Sequence, residues 1–399
     1  REDAGTGPRL VVPDVLEALQ RLGAAARERS KAVRVGVTGS VGKTSVKEAI
    51  AAVFHAAGPA HWSVKSYNNH WGVPLTLARM PKETARGVFE MGMNHAGEIA
   101  ALTTQVQPHI ALITRIAPAH LENLGSMEAI ADAKAEIFTG LAGDGVAIIP
   151  ADCEYAPHLA ARVADSGAAF LFDFGRARNA AVRILSWEQE AAGGRGRFDV
   201  LGRIVNMSIP APGEHQAHNA AAVMAACVAA GIDSAAVADV LAGLEAQAGR
   251  GASFLVPLDG GSARIIDDSY NANPVSMASA ITTLARHVPE GKGRRVAVLG
   301  EMLEIGSSAP EYHRELARLL ADAGVSEVIG VGAMMAHMVS ALPSPIKGAM
   351  AGSPAEAGER LLGALRPGDV VLIKGSNGSG VHKVVASLRN GAANAVIKG

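Results

Sequence analysis

A chain of 399 residues with 49% hydrophobic and 19% charged side chains carries enough apolar material for two to three domains, each with its own core. A net charge of −1 and a pI near 7.0 leave no basic footprint for nucleic acid or an anionic membrane surface. Only Cys153 and Cys227 are present, which excludes a thiolate metal site or disulfide framework and fits a reducing cytoplasm; no apolar run reaches the ~18 residues of a membrane helix.

The chain opens on Arg1 rather than Met, and R-E-D-A-G-T-G-P reads as the tail of a preceding domain. Leu10-Val11-Val12 and a helix from Asp14, its cap, to Arg29 then lead into a short apolar run, Val33 to Val37, expected as a buried parallel strand. A tight turn follows, Thr38-Gly39-Ser40-Val41-Gly42, and Lys43-Thr44-Ser45 opens a helix with Val46, Ala49, Ile50, Val53 and Phe54 on one face. Strand, glycine loop, Lys-Thr and helix suit a nucleoside triphosphate. Glycines let backbone N–H groups face phosphates, and the helix N-terminus favours negative charge. Lys43 would neutralise the β- and γ-phosphates and the Thr44 hydroxyl would hold Mg²⁺. Val37 stands where the first glycine of the usual phosphate-loop pattern belongs, so the loop is the tighter T-G-x-x-G-K-T form. A glycine turn with a surface lysine is the plainer alternative.

Ser66 to Pro74, S-Y-N-N-H-W-G-V-P, is expected as a structured loop rather than a regular element, and Asn68 and Asn69 suit it to grip a ligand. Gly87 to Gly92 is a second strand ending in Glu90, where a Mg²⁺ ligand would be useful; a carboxylate buried there without a partner would be costly. His109 to Ile116 is a third strand, and His120 lies just past its carboxyl end. With Thr44 and Glu90 at equivalent positions, His120 reads as a further metal-site residue rather than a structural histidine. Lys134 falls on the buried stripe of the next helix with Ile130 and Phe138, so it either snorkels to water or has been chemically changed.

Further strands fit at 145–150, 168–174 and 181–187, with a hairpin over 196–210. Gly213 onward opens an alanine-rich helix to about Ala230 whose polar start could read adenine or phosphate. A helix over 233–244 ends near Gly249-Arg250-Gly251, the expected domain boundary. Strands at 263–268, 295–300, 327–331 and 369–374 then alternate with helices at 274–287, 310–323, 333–341, 354–365 and 380–391, a second doubly wound domain. Its first strand ends in D-D-S-Y-N-A-N-P, Asp267 to Pro274, whose density of acids and amides marks a site; a plain helix cap is the alternative.

Taken together the motifs resemble the Mur ligases, ATP-dependent amide-forming enzymes of cell-wall precursor synthesis, over almost all of residues 9–399. T-G-S-V-G-K-T-S resembles the family's phosphate loop, F-E-M-G-M-N-H-A-G-E-I, A-H-L-E-N-L-G-S and A-K-A-E-I-F its central motifs in order, and G-E-H-Q-A-H-N its adenine segment. D-D-S-Y-N-A-N-P-V-S-M with N-N-H-W-G-V-P-L-T-L resembles the branch that joins D-alanyl-D-alanine to a UDP-N-acetylmuramoyl-tripeptide. The resemblance implies an α/β fold: a central P-loop ATPase domain with a mainly parallel sheet over 31–248, then a Rossmann-like ligase domain over 249–399. Residues 1–30 would be a remnant of an N-terminal domain and its linker. The chain would act as a cytoplasmic monomer.

By the same resemblance, Thr38 to Ser45, His215, Asn219, Arg250 and Asp268 would bind ATP. Thr44 and Glu90 would hold one Mg²⁺, and His120 with a carbamate on Lys134 would serve a second. Lys43, His120 and Lys134 would be the catalytic set, and Asn68, Asn69, Tyr270, Asn271 and Asn273 would meet the peptides. Gln216 stands where the family usually has Asn, Pro150 where Asn often follows the strand, and the tail K-G-S-N-G-S-G-V-H-K lacks the expected Met. The domain that grips UDP has no counterpart, so poor binding of the UDP substrate is expected. A sibling Mur ligase, a folylpolyglutamate synthase-like ligase, or a nucleotide-binding module that makes no bond are the competing readings.

Overall fold

The computed structural model describes residues 10–190, 193–245 and 248–398; the start of the expected N-terminal remnant, residues 1–9, lies outside them. Helix Val15–Arg29 begins as expected, with the Asp14 carboxylate accepting from Glu17 N at 2.8 Å.

The first sheet is built from β1 (Val33–Thr38), β2 (Ala60–Trp62), β3 (Arg86–Glu90), β4 (Ile110–Ile113), β5 (Val146–Pro150), β6 (Phe170–Gly175), β7 (Val182–Gln189), β8 (Gly194–Val200) and β9 (Arg203–Ile209). Its order is β2-β3-β1-β4-β5-β6-β7-β8-β9, parallel from β2 to β7 and antiparallel from there to β9. Both faces of the parallel part are covered, which is why β1 and β4 read as unbroken apolar runs. Val35, Val37, Leu112 and Ile148 pack on one side against helices Lys43–Ala56 and His215–Ala229. Phe89, Ala111, Ile113 and Ala147 pack on the other against Glu98–Val106 and Met127–Ala135. By contrast β8 alternates buried and exposed residues, the mark of one solvated face.

The second sheet contains β10 (Ala252–Leu258), β11 (Gly261–Asp268), β12 (Arg295–Gly300), β13 (Glu327–Val331), β14 (Lys347–Ala351) and β15 (Val370–Lys374), in the order β10-β11-β15-β12-β13-β14. All pairs are parallel except β10 with β11.

Three strands were not expected from the sequence: β2, β10 and β14. Each is a sheet edge. Edge strands are half solvated and lack the dense apolar signal of central ones; β10 even holds Pro257, which only an edge tolerates. The stretch expected as an irregular loop also needs correction, because Gly72–Ala78 is helical. The Asn69 side-chain oxygen accepts from Trp71 N at 3.1 Å and Gly72 N at 3.0 Å, and Pro74 falls in the first turn, where its missing N–H costs nothing.

Candidate active site

The carboxyl ends of β3, β1 and β4 in the first lobe face those of β11, β15 and β12 in the second, and a cavity of about 790 Å³ lies between them. One wall is the glycine loop. Gly39 has φ 147°, and a Cβ there would stand 2.0 Å from Thr114 Oγ1; Gly42 has φ 88°, and a Cβ there would meet Asn219 Oδ1 at 2.8 Å. Only glycine fits both positions. Helix Lys43–Ala56 receives no side-chain cap, so its N-terminal dipole is presented to whatever the loop encloses. Lys43 Nζ folds back to donate to Gly39 O at 2.5 Å. Burial lowers its pKa, with Arg250 adding and Glu90 opposing. Ser40, Val41, Gly42, Thr44 and Ser45 line the cavity with it. Thr38 is more remote: it is fully buried, and its hydroxyl donates to Met91 O at 2.8 Å.

Glu90 is 1% exposed and is not left alone. Thr44 Oγ1 donates to its Oε2 at 2.8 Å, Asn68 Nδ2 to its Oε1 at 2.8 Å, and its own N–H donates to Ser63 Oγ at 3.2 Å. Those bonds offset the cost of burying the carboxylate. Among the described residues no three His, Cys, Asp or Glu side chains gather. A cation here would depend on mixed oxygen donors, and the Thr44 hydroxyl beside the Glu90 carboxylate is such a set, suited to a hard ion.

His120 has φ 58°, and its Nδ1 is 2.7 Å from Glu304 Oε2 of the second lobe, an ion-pair distance without hydrogen-bond alignment. Burial lowers its pKa, reinforced by Lys134 and Lys43 and opposed by Glu304. Lys134 does not snorkel. It is fully buried, its Nζ has no hydrogen-bond partner among the described residues, and burial, with Lys43 adding, holds its pKa well below the ordinary lysine value. Only the unprotonated amine reacts with carbon dioxide, and burial without such a partner favours that form, so this lysine fits a carbamate.

His215 lines the cavity with its Nδ1 2.8 Å from Ser279 Oγ of the second lobe. Burial, then Lys374, Arg115 and His218, lower its pKa to about 4. Asn219 also lines the cavity, beneath Gly42.

From the second lobe, Arg250 lies 4.1 Å over the Tyr270 ring, and the Tyr270 hydroxyl donates to Ser66 Oγ at 2.6 Å. Asp268 is raised in pKa by desolvation, against the pull of Lys374, whose Nζ donates to it at 2.7 Å. Asn271 lines the cavity, and its backbone oxygen accepts from Lys374 at 2.9 Å. Asn273 lines it too, but its side chain forms a capping box with Ser276 at the start of helix Pro274–Arg286. Asn69 is spent on its own helix cap and is not part of the cavity wall, unlike Asn68.

Sequence reasoning passed over Lys374, Glu304 and Ser66. Lys374 ends an apolar strand with a charge, the same signal that pointed to Glu90. Glu304 sits in a loop with no such mark, and Ser66 opens a loop that its asparagines marked rather than its own hydroxyl.

Two apposed α/β lobes, one with a phosphate loop, share one cavity, the architecture of a two-lobed nucleotide-binding protein. The family model for the Mur ligase middle domain matches residues 37–227, and that for the Mur ligase, glutamate ligase domain matches residues 255–377. The chain is 32% identical over 376 residues, 94% of its length and 82% of the relative's, to the UDP-N-acetylmuramoyl-tripeptide–D-alanyl-D-alanine ligase of Rickettsia prowazekii. It is 34% identical over 389 residues to the Escherichia coli protein of the same description, covering 96% and 82% of the two chains. A crystal structure of MurF from Acinetobacter baumannii superposes with a TM-score of 0.84 at 28% identity, covering 95% of this chain and 81% of that one. The chain belongs to the Mur ligase family.

Proposed function

We propose that the chain is an ATP-dependent amide ligase that joins D-alanyl-D-alanine to a UDP-N-acetylmuramoyl-tripeptide in peptidoglycan precursor synthesis. The observation that carries this reading is the meeting of the glycine loop, Glu90 and the Asp268–Asn273 loop at one cavity between two lobes. The relatives at 32% and 34% identity support the substrate pair.

In this reading the loop amides and Lys43 hold the ATP phosphates, and His215 and Asn219 lie at the base. Arg250 and Asp268 reach the nucleotide from the second lobe. Thr44 and Glu90 would hold Mg²⁺, and His120 with a carbamate on Lys134 would serve a second ion. Bound there, Mg²⁺ would supply charge neutralisation of the transferred phosphoryl group. The tripeptide carboxylate oxygen attacks the γ-phosphorus; a C–O–P linkage forms and ADP leaves. The dipeptide amine then attacks the acyl carbon, the C–N bond forms, phosphate departs and one proton is released. Lys43 offsets the repulsion between the two anions in the first step. Asn68, Tyr270 and Asn271, which line the cavity, orient the peptides, and the apposed lobes exclude water that would hydrolyse the acyl phosphate. No helix among the described residues is long and apolar enough to cross a membrane, and the free cysteines suit the cytoplasm.

The test is an acceptor panel with ATP, Mg²⁺ and the UDP-linked tripeptide. Amide product and ADP are expected with D-alanyl-D-alanine and not with single amino acids, nor when a folate replaces the UDP-linked tripeptide as the acid. A preferred alternative acceptor, or ADP release indifferent to peptide, overturns the reading.

A further inference from the structure

The Ser66 hydroxyl stands between groups of different lobes. Tyr270 Oη is 2.6 Å from it and Thr44 Oγ1 is 3.3 Å from it, while Thr44 Oγ1 is 2.8 Å from Glu90 Oε2. Each hydroxyl has one proton, and an ionised carboxylate only accepts. Thr44 therefore spends its proton on Glu90, Ser66 donates to Thr44, and Tyr270 donates to Ser66. The donors run in one direction, from the second lobe into the buried carboxylate of the first.

Both ends of this chain are held. Lys47, one turn beyond Thr44, has a fully buried side chain, and its ammonium donates to Ser63 O at 2.8 Å, to Lys65 O at 2.9 Å and to the Glu48 carboxylate. Lys65 itself adopts φ 52°, so the backbone just before Ser66 is locked in a conformation that would not persist unsupported. Asn68, two residues on, ties the same loop to Glu90 and, through its carbonyl, to Gly92 N at 2.8 Å. On the far side the Arg250 guanidinium fixes the Tyr270 ring.

We propose that Ser66 is a positioning residue that couples occupancy of the Thr44–Glu90 pair to docking of the second lobe. A divalent cation with its nucleotide would hold Thr44 and Glu90 in the arrangement that takes the Ser66 proton, which leaves the Ser66 oxygen to accept from Tyr270. Linkage makes the effect reciprocal: a docked Tyr270 favours the bound cation and nucleotide. The inference rests on the ligase reading for the cation and nucleotide at Thr44 and Glu90 and for the identity of the peptides.

The experiment compares the full chain with its Ser66→Ala, Tyr270→Phe, double and Ser66→Thr variants. Small-angle scattering with and without Mg²⁺ and ADP reads lobe closure, calorimetry reads Mg²⁺–ADP affinity, and kinetics reads KM for D-alanyl-D-alanine against kcat. The radius of gyration of the parent should fall on adding Mg²⁺ and ADP, and Ser66→Ala and Tyr270→Phe should lose most of that fall. Each should weaken ADP about five-fold, the double variant no further, and Ser66→Thr should recover the loss. KM for the dipeptide should rise more than kcat falls. Losses that multiply in the double variant, an unaltered compaction in Ser66→Ala, or a parent radius indifferent to Mg²⁺ and ADP would each overturn the proposal. A wrong acceptor would spoil only the kinetic arm and leave scattering and calorimetry as expected.

Discussion

His120 and Glu304 face each other across the two lobes, 2.7 Å apart, and both hold left-handed backbone conformations, with φ 58° and 63°. Such strain in two non-glycine residues persists only where surrounding contacts enforce it. Replacing Glu304 with glycine should therefore relieve strain while removing the carboxylate. The expected result is a stability gain of about 0.5 kcal/mol in urea unfolding together with lower ligase activity. Glu304→Gln, which keeps the strain, should lose activity without that gain.

Glu90 offers a cleaner separation of charge from shape. Glu90→Gln keeps an acceptor for the Thr44 proton but removes the negative charge and sets an amide N–H₂ against Asn68 Nδ2, so Mg²⁺-dependent nucleotide binding should weaken about 10- to 100-fold at a stability cost of about 1 kcal/mol. Glu90→Ala leaves Thr44 and Asn68 unpaired in a buried site and should in addition cost about 1–3 kcal/mol in thermal or denaturant unfolding.

Lys134 should be visible by its chemistry. With carbon-13 bicarbonate present, the parent is expected to show a carbamate carbon resonance that Lys134→Arg lacks, and the variant should lose about 100-fold in activity. Burial lowers the basicity of the amine and so favours its unprotonated form, the form the reaction needs. An identical spectrum in both proteins would remove the carbamate from the mechanism.

The His215 ring sets a sign for acid stability. Its pKa is lowered to about 4, against about 6.5 in the unfolded chain. Above pH 6.5 the ring is neutral in both states. As pH falls from 6.5 toward 4, the unfolded chain takes up a proton that the folded chain refuses, so stability falls through that window and levels off below it. Because the ring is partly open to the cavity, the loss should be about 2 kcal/mol rather than the full linkage value. His61, His109 and His313 are also lowered, so the measurement is the difference between the parent and His215→Gln, which should vanish above pH 7 and open below 6.

Much of this protein is written locally. The glycine loop, the strand before it and the amphipathic helix after it need only neighbours in the chain. So does the placing of Glu90 and His120 at or just past strand ends, because a buried strand announces itself as an apolar run and the polar residue that stops it marks the sheet's carboxyl edge. The stripe position of Lys134 follows from helical spacing alone. What spacing could not reveal was that Lys134 Nζ would have no partner among the described residues, since that depends on every element packed around it.

The edge strands β2, β10 and β14 escaped for a related reason. Their pairing energy comes from a neighbouring strand, next in the chain for β10 and about twenty or more residues away for β2 and β14, rather than from their own composition. The cavity's second wall is the extreme case. Ser66 and Tyr270 are 204 residues apart and Asp268 and Lys374 are 106 apart, and no local pattern records either contact. The amino-acid order alone determined the chemistry available at each strand end; only the docking of one lobe on the other decided which of those groups share a site. Local backbone preference is set within a few residues, whereas juxtaposition across a cavity is set by how two whole cores pack.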